Sequence, residues 1–279
     1  MKAKKYATPF AKLHAVSLLS QKSRIRKFAH AIDTSVTEGD YVIELGAGSG
    51  ILSLLAAKAG AEKVTGIDIN SSSISYARQA TKENNLDEAV EFVATHYLDF
   101  KPEKDADVVI CEMLSSMLLV EQQVTASFHA ASSLLREGGT ILPKGARVYA
   151  FPVVCHSVLK RFKWNGLAFP KAPQTVGLEQ FTPLSGAELL AEFDFSQQTP
   201  PEKVDQTLEF QIREEGVLTG LVGYFEVDLD NETTLGMEDG WRHLFLPFEN
   251  AKRVNHGDLE RIRIAYLPGQ LDTLEIRLR

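Results

Sequence analysis

The chain has 279 residues and is 44% hydrophobic, which is enough to bury two modest cores or one large one. Its formal net charge of −7 argues against broad, charge-driven binding of nucleic acid. Cys111 and Cys155 are too few for a zinc site or a disulfide framework, so no metal site is predicted and a reducing, cytoplasmic setting fits. No apolar run reaches the length of a membrane span.

The N-terminal segment, residues 1–37, is basic. Its first 32 residues contain eight Lys or Arg and no acid. This composition superficially resembles a transit peptide, but the segment lacks a cleavage-like boundary and continues directly into the next predicted element. We therefore expect a helical segment that belongs to the fold.

Strands and helices alternate from residue 38 to about residue 150. The predicted strands are 41–45, 63–67, 90–93, 106–111 and 139–142, and the predicted helices are 51–58, 71–84 and 121–135. This alternation predicts a parallel sheet with helices on both faces. We expect residues 38–151 to form one Rossmann-like α/β domain.

A glycine-rich turn follows the first of these strands. In the stretch Val42-Ile-Glu-Leu-Gly-Ala-Gly-Ser-Gly-Ile-Leu52, Glu44 is followed by glycine at 46, 48 and 50. Such glycines let the backbone approach a ligand that faces the N–H groups of the next helix. The G-x-G-x-G spacing differs from the G-x-G-x-x-G of NAD and FAD sites, so it favours another nucleoside cofactor.

Asp68 ends the second predicted strand, eighteen residues after Gly50. A carboxylate at this position can accept both hydrogen bonds of a ribose diol. The alternative is that Asp68 caps the helix predicted at 71–84. The strand, the spacing and the glycines together favour the ribose role.

The fourth predicted strand also ends in a carboxylate, Glu112, which is expected to face the same crevice. Eight mostly apolar residues separate it from Glu121. If the loop folds back, both acids face one slot that suits a planar cation such as guanidinium. The alternative is that Glu112 merely ends a strand and that Glu121 lies on the surface at a helix N-terminus.

After Pro152 the pattern changes to short, alternating runs separated by Gly, Pro, Asn and Asp. The predicted strands are 208–213, 221–229, 244–248, 262–267 and 274–278. They predict a smaller antiparallel, β-barrel-like domain over residues 152–279. The two tryptophans, Trp164 and Trp241, are interpreted as packing residues.

Several of these motifs resemble those of known methyltransferases. The turn from Glu44 to Gly50 resembles motif I of the class I S-adenosylmethionine-dependent methyltransferases. The loop Glu112-Met-Leu-Ser-Ser-Met-Leu-Leu-Val-Glu121 resembles the double-E loop of protein arginine methyltransferases. Asp239-Gly-Trp241 falls where that family carries a Thr-His-Trp loop.

The resemblance implies S-adenosylmethionine as cofactor, a guanidino-bearing protein, peptide or small molecule as acceptor, and a homodimer as the assembly. Glu112 and Glu121 would hold the acceptor as catalytic residues. The N-terminal segment would cover the cofactor, and its Arg24 would bind the cofactor's carboxylate. The residues expected to bind the cofactor are Arg24, Glu44, Gly46, Gly48, Gly50, Asp68 and His96 or Tyr97.

The chain also departs from the family pattern. The family histidine is replaced by Gly240, and the acid that pairs with it is replaced by Gln21. Either the proton leaves through Glu121 or water, or His243 substitutes, or the substrate differs. The dimerisation arm, within 156–190, is short. Methylation of another small-molecule or RNA nitrogen and an inactive cofactor-binding regulator are the alternative functions.

Overall fold

The computed structural model describes residues 9–199 and 203–279, so residues 1–8 of the basic segment lie outside the described residues. Its α-helices are α1 (Pro9–Ser17), α2 (Lys22–Ser35), α3 (Ile51–Lys58), α4 (Ser71–Glu83), α5 (Gln123–Ser133) and α6 (His156–Leu159). None of the helices in the described ranges is long and apolar enough to cross a membrane.

The strands of the first half are β1 (Tyr41–Leu45), β2 (Lys63–Asp68), β3 (Val90–Ala94), β4 (Ala106–Cys111) and β5 (Leu135–Leu142). Those of the second half are β6 (Gly145–Val154), β7 (Lys163–Trp164), β8 (Leu167–Ala168), β9 (Gln174–Val176), β10 (Thr182–Pro183), β11 (Glu188–Asp194), β12 (Val204–Gln211), β13 (Gly216–Asp228), β14 (Thr234–Leu235), β15 (His243–Val254), β16 (Leu259–Leu267) and β17 (Gln270–Leu278).

Strands β1 to β5 form a parallel sheet in the order β3-β2-β1-β4-β5. Every residue of β1 is buried, as expected for a central strand covered by helices on both faces. The strand order reverses between β1 and β4, and ligands of open α/β sheets bind beyond the carboxyl ends of the strands at such a point. The predicted Rossmann-like fold is therefore confirmed.

From Gly145 onward the sheets are antiparallel. One has the order β10-β6-β13-β15-β9, with β11 beside β6 and β14 beside β13, and another has the order β12-β16-β17. The five strands predicted after Pro152 are all present. The sequence did not predict β6, which starts seven residues before Pro152 and pairs with β13 from the Gly145–Asp228 pair onward. Because β6 follows β5 after only two residues, its alternation was hidden by the preceding apolar run.

A small hairpin corrects one prediction. Strands β7 and β8 pair through two residues each, and Trp164 on β7 is 70% exposed. Strands this short offer no sheet face large enough to cover an indole ring. The interpretation of Trp164 as a packing residue is therefore wrong.

Candidate active site

A cavity of about 700 Å³ lies beyond the carboxyl ends of β1, β2 and β4. Nine of the ten predicted site residues line it: Arg24, Glu44, Gly46, Gly48, Asp68, His96, Tyr97, Glu112 and Glu121. The structure therefore brings together residues that are up to 97 positions apart in the chain. Gly50 does not line the cavity.

Gly50 instead supports the turn from beneath. Its φ of +81° is left-handed, and a Cβ there would lie 2.7 Å from Phe92 Cζ and 2.9 Å from Ala77 Cβ. Glycine is required on both counts, because other residues are strained in this backbone region and the space is already filled. In the structure the part of Gly50 is to start α3 closely packed on the sheet.

Asp68 fixes the turn above it. One carboxylate oxygen accepts a hydrogen bond from Gly48 N at 2.9 Å, and the other accepts one from Asn70 N at 2.7 Å. The cap of α4 is Asn70, whose side chain accepts hydrogen bonds from the next helical N–H groups. The alternative reading of Asp68 as a helix cap is thus excluded, and its carboxylate stays at the cavity wall.

Glu44 lines the cavity, but its carboxylate is hydrogen-bonded to Ser53 of the protein itself. Its carboxylate accepts hydrogen bonds from Ser53 Oγ and, at 2.8 Å, from Ser53 N in the first turn of α3. Burial raises the pKa of Glu44 to about 8, although the Ser53 hydrogen bonds oppose the rise. Glu44 therefore ties β1 to α3 and holds the glycine turn between them.

Part of the cavity lining is aromatic and apolar. The rings of His96 and Tyr97 lie 4.5 Å apart, and the Tyr97 hydroxyl lies 3.2 Å from Thr125 Oγ1. Ile69, directly after Asp68, also lines the cavity and is 62% exposed. An exposed isoleucine in the same cavity as two rings offers an apolar surface that a flat heterocycle could cover. Sequence reasoning missed Ile69, although its position after Asp68 was a usable signal.

The backbone around Glu112 is held by one buried side chain. Gln123 Nε2 donates to Cys111 O at 3.0 Å, and Gln123 Oε1 accepts from Met113 N at 2.8 Å. Both peptide groups flanking Glu112 are therefore anchored to the start of α5. This arrangement fixes the direction of Glu112 as it leaves β4.

Glu121 is returned to the cavity by its loop. Ser115 Oγ accepts hydrogen bonds from Val120 N at 3.1 Å and Glu121 N at 2.9 Å. Met117 is fully buried with a left-handed φ of +61°, and Tyr266 donates to its carbonyl at 3.1 Å. The antiparallel sheets therefore clamp the middle of the loop, and both glutamates face one cavity as predicted.

Arg24 contacts both Glu112 and Trp241. Its Nη1 is 3.4 Å from Glu112 Oε1, and its guanidinium carbon lies 3.4 Å from the ring centroid of Trp241. Trp241 in turn donates Nε1–H to Leu114 O at 3.0 Å. The indole thus packs as predicted but also forms a platform for a cation, a role that sequence reasoning missed.

Burial raises the pKa of Glu112 to about 7, against the attraction of Arg24 and with the repulsion of Glu121 adding to the rise. The pKa of Glu121 is also raised by desolvation, which outweighs Arg24. Glu121 is itself exposed to solvent, although it lines the same cavity as Glu112. Two carboxylates that line one cavity beside a single cation form a site that gains from a second cation.

The two family departures meet in space. A Cβ at Gly240 would lie 2.8 Å from Gln21 Cδ, and the φ of Gly240 is +111°. Gly240 and Gln21, the two positions that depart from the arginine methyltransferase pattern, therefore adjoin each other. His243 lines a second cavity and contacts the rings of Phe181 and Tyr224. It does not line the cavity of the two glutamates, so it does not replace the missing histidine there.

Comparisons with known proteins agree with this geometry. The family model for ribosomal protein L11 methyltransferase (PrmA) matches residues 28–152. The chain is 31% identical over 138 residues to the probable protein arginine N-methyltransferase 6 of Arabidopsis thaliana, covering 49% of this chain and 32% of that protein. It is 24% identical over 271 residues to the arginine N(omega)-methyltransferase of Streptomyces achromogenes subsp. streptozoticus, covering 90% of this chain and 75% of that protein.

Among solved structures, the PRMT1 enzyme–prozyme heterotetrameric complex with AdoHcy from Trypanosoma brucei is similar with a TM-score of 0.77 and 21% identity, covering 88% of this chain and 85% of that chain. The matches to the plant relatives span about a third of their length. The chain has the fold of a class I methyltransferase. In sequence, the chain resembles proteins named as arginine methyltransferases.

Proposed function

We propose that this chain is an S-adenosylmethionine-dependent N-methyltransferase that transfers a methyl group to an arginine-type guanidino nitrogen. The observation that carries the proposal is that Glu112 and Glu121 open onto the same cavity as the glycine turn and Asp68. An electrophilic methyl held at the turn would then lie beside a slot for a planar cation. The relatives named as arginine methyltransferases support the same acceptor chemistry.

The described residues fit the cofactor. Gly46 and Gly48 have left-handed φ of +74° and +52°, which glycine adopts without strain, and both line the cavity. Asp68 would accept the ribose hydroxyls, and Ile69 with Tyr97 would cover the base. Arg24 has a buried Nε without a hydrogen-bond partner, and it would pair with the amino-acid carboxylate. When bound, the cofactor supplies a methyl group made electrophilic by its sulfonium.

The glutamates would act on the acceptor by position and charge. A guanidinium is a poor nucleophile because its lone pairs are delocalised and it loses its proton only above about pH 12. Carboxylates on two of its nitrogens bias the positive charge toward those nitrogens and leave a third free to aim at the methyl group. The methylated nitrogen becomes acidic, and Glu112, with a pKa raised to about 7, is suited to take its proton.

The second half would then form the acceptor side. We propose that the antiparallel sheets over 152–279 close as a β-barrel-like domain and that 156–190 is a shortened arm. A cytoplasmic location and a homodimer are part of the same proposal. Met113, Ser115 and Ser116 differ from the family's Trp-Met-Gly pattern and leave a more open loop, so the acceptor need not be a protein.

Transfer of tritiated methyl from S-adenosylmethionine tests the proposal. We expect label on free arginine, on an arginine-rich peptide or on histones, and none on RNA. Label on RNA alone would support the alternative of a different nitrogen. Tight binding of S-adenosylhomocysteine by calorimetry, with no label on any acceptor, would support the regulator. Asp68→Ala should weaken cofactor binding, whereas Asp205→Ala, on the outer sheet β12-β16-β17, should not.

A further inference from the structure

A buried carboxylate outside the proposed chemistry lies on the loop before β15. The side chain of Asp239 has no solvent exposure. Its oxygens accept hydrogen bonds from Lys27 Nζ at 2.6 Å, Ser23 Oγ at 2.5 Å and Gly236 N at 3.0 Å. Burial alone would raise the pKa of Asp239, but these hydrogen bonds lower it overall, so the group is held as an anion.

The two side-chain donors of this cluster belong to the helix that carries Arg24. Ser23 and Lys27 are on α2, one turn apart, with Arg24 between them in sequence. Asp239 and Trp241 are two residues apart on the opposing loop, and Trp241 stacks on Arg24. One loop thus binds one helix twice, through an ion pair and through a stacked guanidinium.

Gly240 and Gln21 adjoin each other at the same contact between the loop and α2. With no side chain at Gly240, the loop and the start of α2 lie in direct contact. At this contact the acid is on the loop and the cation is on the helix.

We infer that the Asp239–Lys27–Ser23 cluster is the tie that holds α2 against the 236–242 loop and thereby positions Arg24 over the cavity. This inference rests on the proposed function, since Arg24 matters there as a ligand of the cofactor. The three are positioning residues and do not line the cavity. Removal of Lys27 would leave a buried carboxylate without its charge partner, which is strongly destabilising for the local contact.

The test uses Lys27→Met with Lys252→Met as a matched control. Lys252 pairs with the buried Glu260 at 2.7 Å between the antiparallel strands β15 and β16. We expect Lys27→Met to weaken binding of S-adenosylhomocysteine at least tenfold by calorimetry and to leave kcat at saturating cofactor within threefold. Lys252→Met should leave the affinity unchanged, and Lys27→Arg should restore it to within threefold.

Hydrogen exchange gives a readout that does not depend on the cofactor. Amides of α2 should exchange faster in Lys27→Met and not in Lys252→Met. Should Lys27→Met fail to fold, Ser23→Ala is milder, because Ser23 is exposed, and it should weaken cofactor binding two- to fivefold. Unchanged affinity together with unchanged exchange in α2 would overturn the inference. A wild-type protein that binds no cofactor would instead overturn the proposed function.

Discussion

Replacement of Glu112 by Gln removes one charge from the centre of the proposed site and changes little else. Glutamine keeps the shape of the side chain and a carbonyl oxygen that can accept from Arg24, which now lies 3.4 Å from Glu112 Oε1. The anchors on both flanking peptide groups come from Gln123 and remain. The variant therefore tests the carboxylate charge itself.

The size of the effect follows from the pKa of about 7. Only ionised Glu112 carries the negative charge that balances a bound guanidinium. The kcat/KM of the wild type should therefore fall as the pH falls through 7. Each pH unit below 7 lowers the ionised fraction of Glu112 about tenfold, so about 1% of Glu112 is ionised at pH 5. Loss of one preorganised electrostatic contact costs about 10²–10³ in rate. Glu112→Gln at pH 8 should therefore resemble the wild type at pH 5.

The assay measures initial rates of tritiated methyl transfer from pH 5 to pH 9, with cofactor binding followed by calorimetry. The affinity for S-adenosylhomocysteine should stay within threefold of the wild type. Glu209→Gln is the control, because Glu209 is an exposed acid paired with Arg261 at 2.6 Å on the outer sheet. Equal rates at pH 5 and pH 8, or a Glu112→Gln rate within threefold of the wild type, would refute the reasoning.

Three further outcomes follow from the structure. Gly50→Ala should lower the free energy of unfolding in urea by about 2–5 kcal/mol, from left-handed strain and overpacking together. Gly39→Ala, with φ +91° and open space around the position, should lower it by only about 1–2 kcal/mol. Equal losses would contradict the packing argument. Gly240→His should not raise the transfer rate, because the φ of +111° and the Gln21 side chain exclude it, and a faster enzyme would contradict this. Ser115→Ala should raise the KM for the acceptor by about thirtyfold, since two hydrogen bonds of about 1 kcal/mol each hold the second glutamate, and an unchanged KM would count against the loop geometry.

Much of the parallel sheet could be predicted because its signals are local. Continuous apolar strands, the glycine turn and the acids at the strand ends are read from a few neighbouring residues. Those signals placed β1, β4 and α3 at their observed bounds. The same logic predicted that Glu112 and Asp68 share one crevice, because the ends of parallel strands meet at one edge.

The remaining features depend on contacts between distant positions. Lys27 and Asp239 are 212 residues apart, and neither has a neighbour in sequence that indicates a pairing. Trp241 reads as an ordinary core aromatic until α2 brings Arg24 onto its ring. In the sequence Gly50 cannot be distinguished from Gly46 and Gly48. Only the position of Phe92 next to Gly50 shows that this glycine is required for packing.

The most direct test of the central claim is the chemical position of the transferred methyl group. The protein is supplied with S-adenosylmethionine that carries a ¹³C-methyl group and with the best acceptor from the labelling panel, and the product is observed by NMR. The account predicts a ¹³C-methyl resonance coupled to a guanidino nitrogen, and its loss in Glu112→Gln. A methyl group on oxygen, carbon or an amine nitrogen would contradict it.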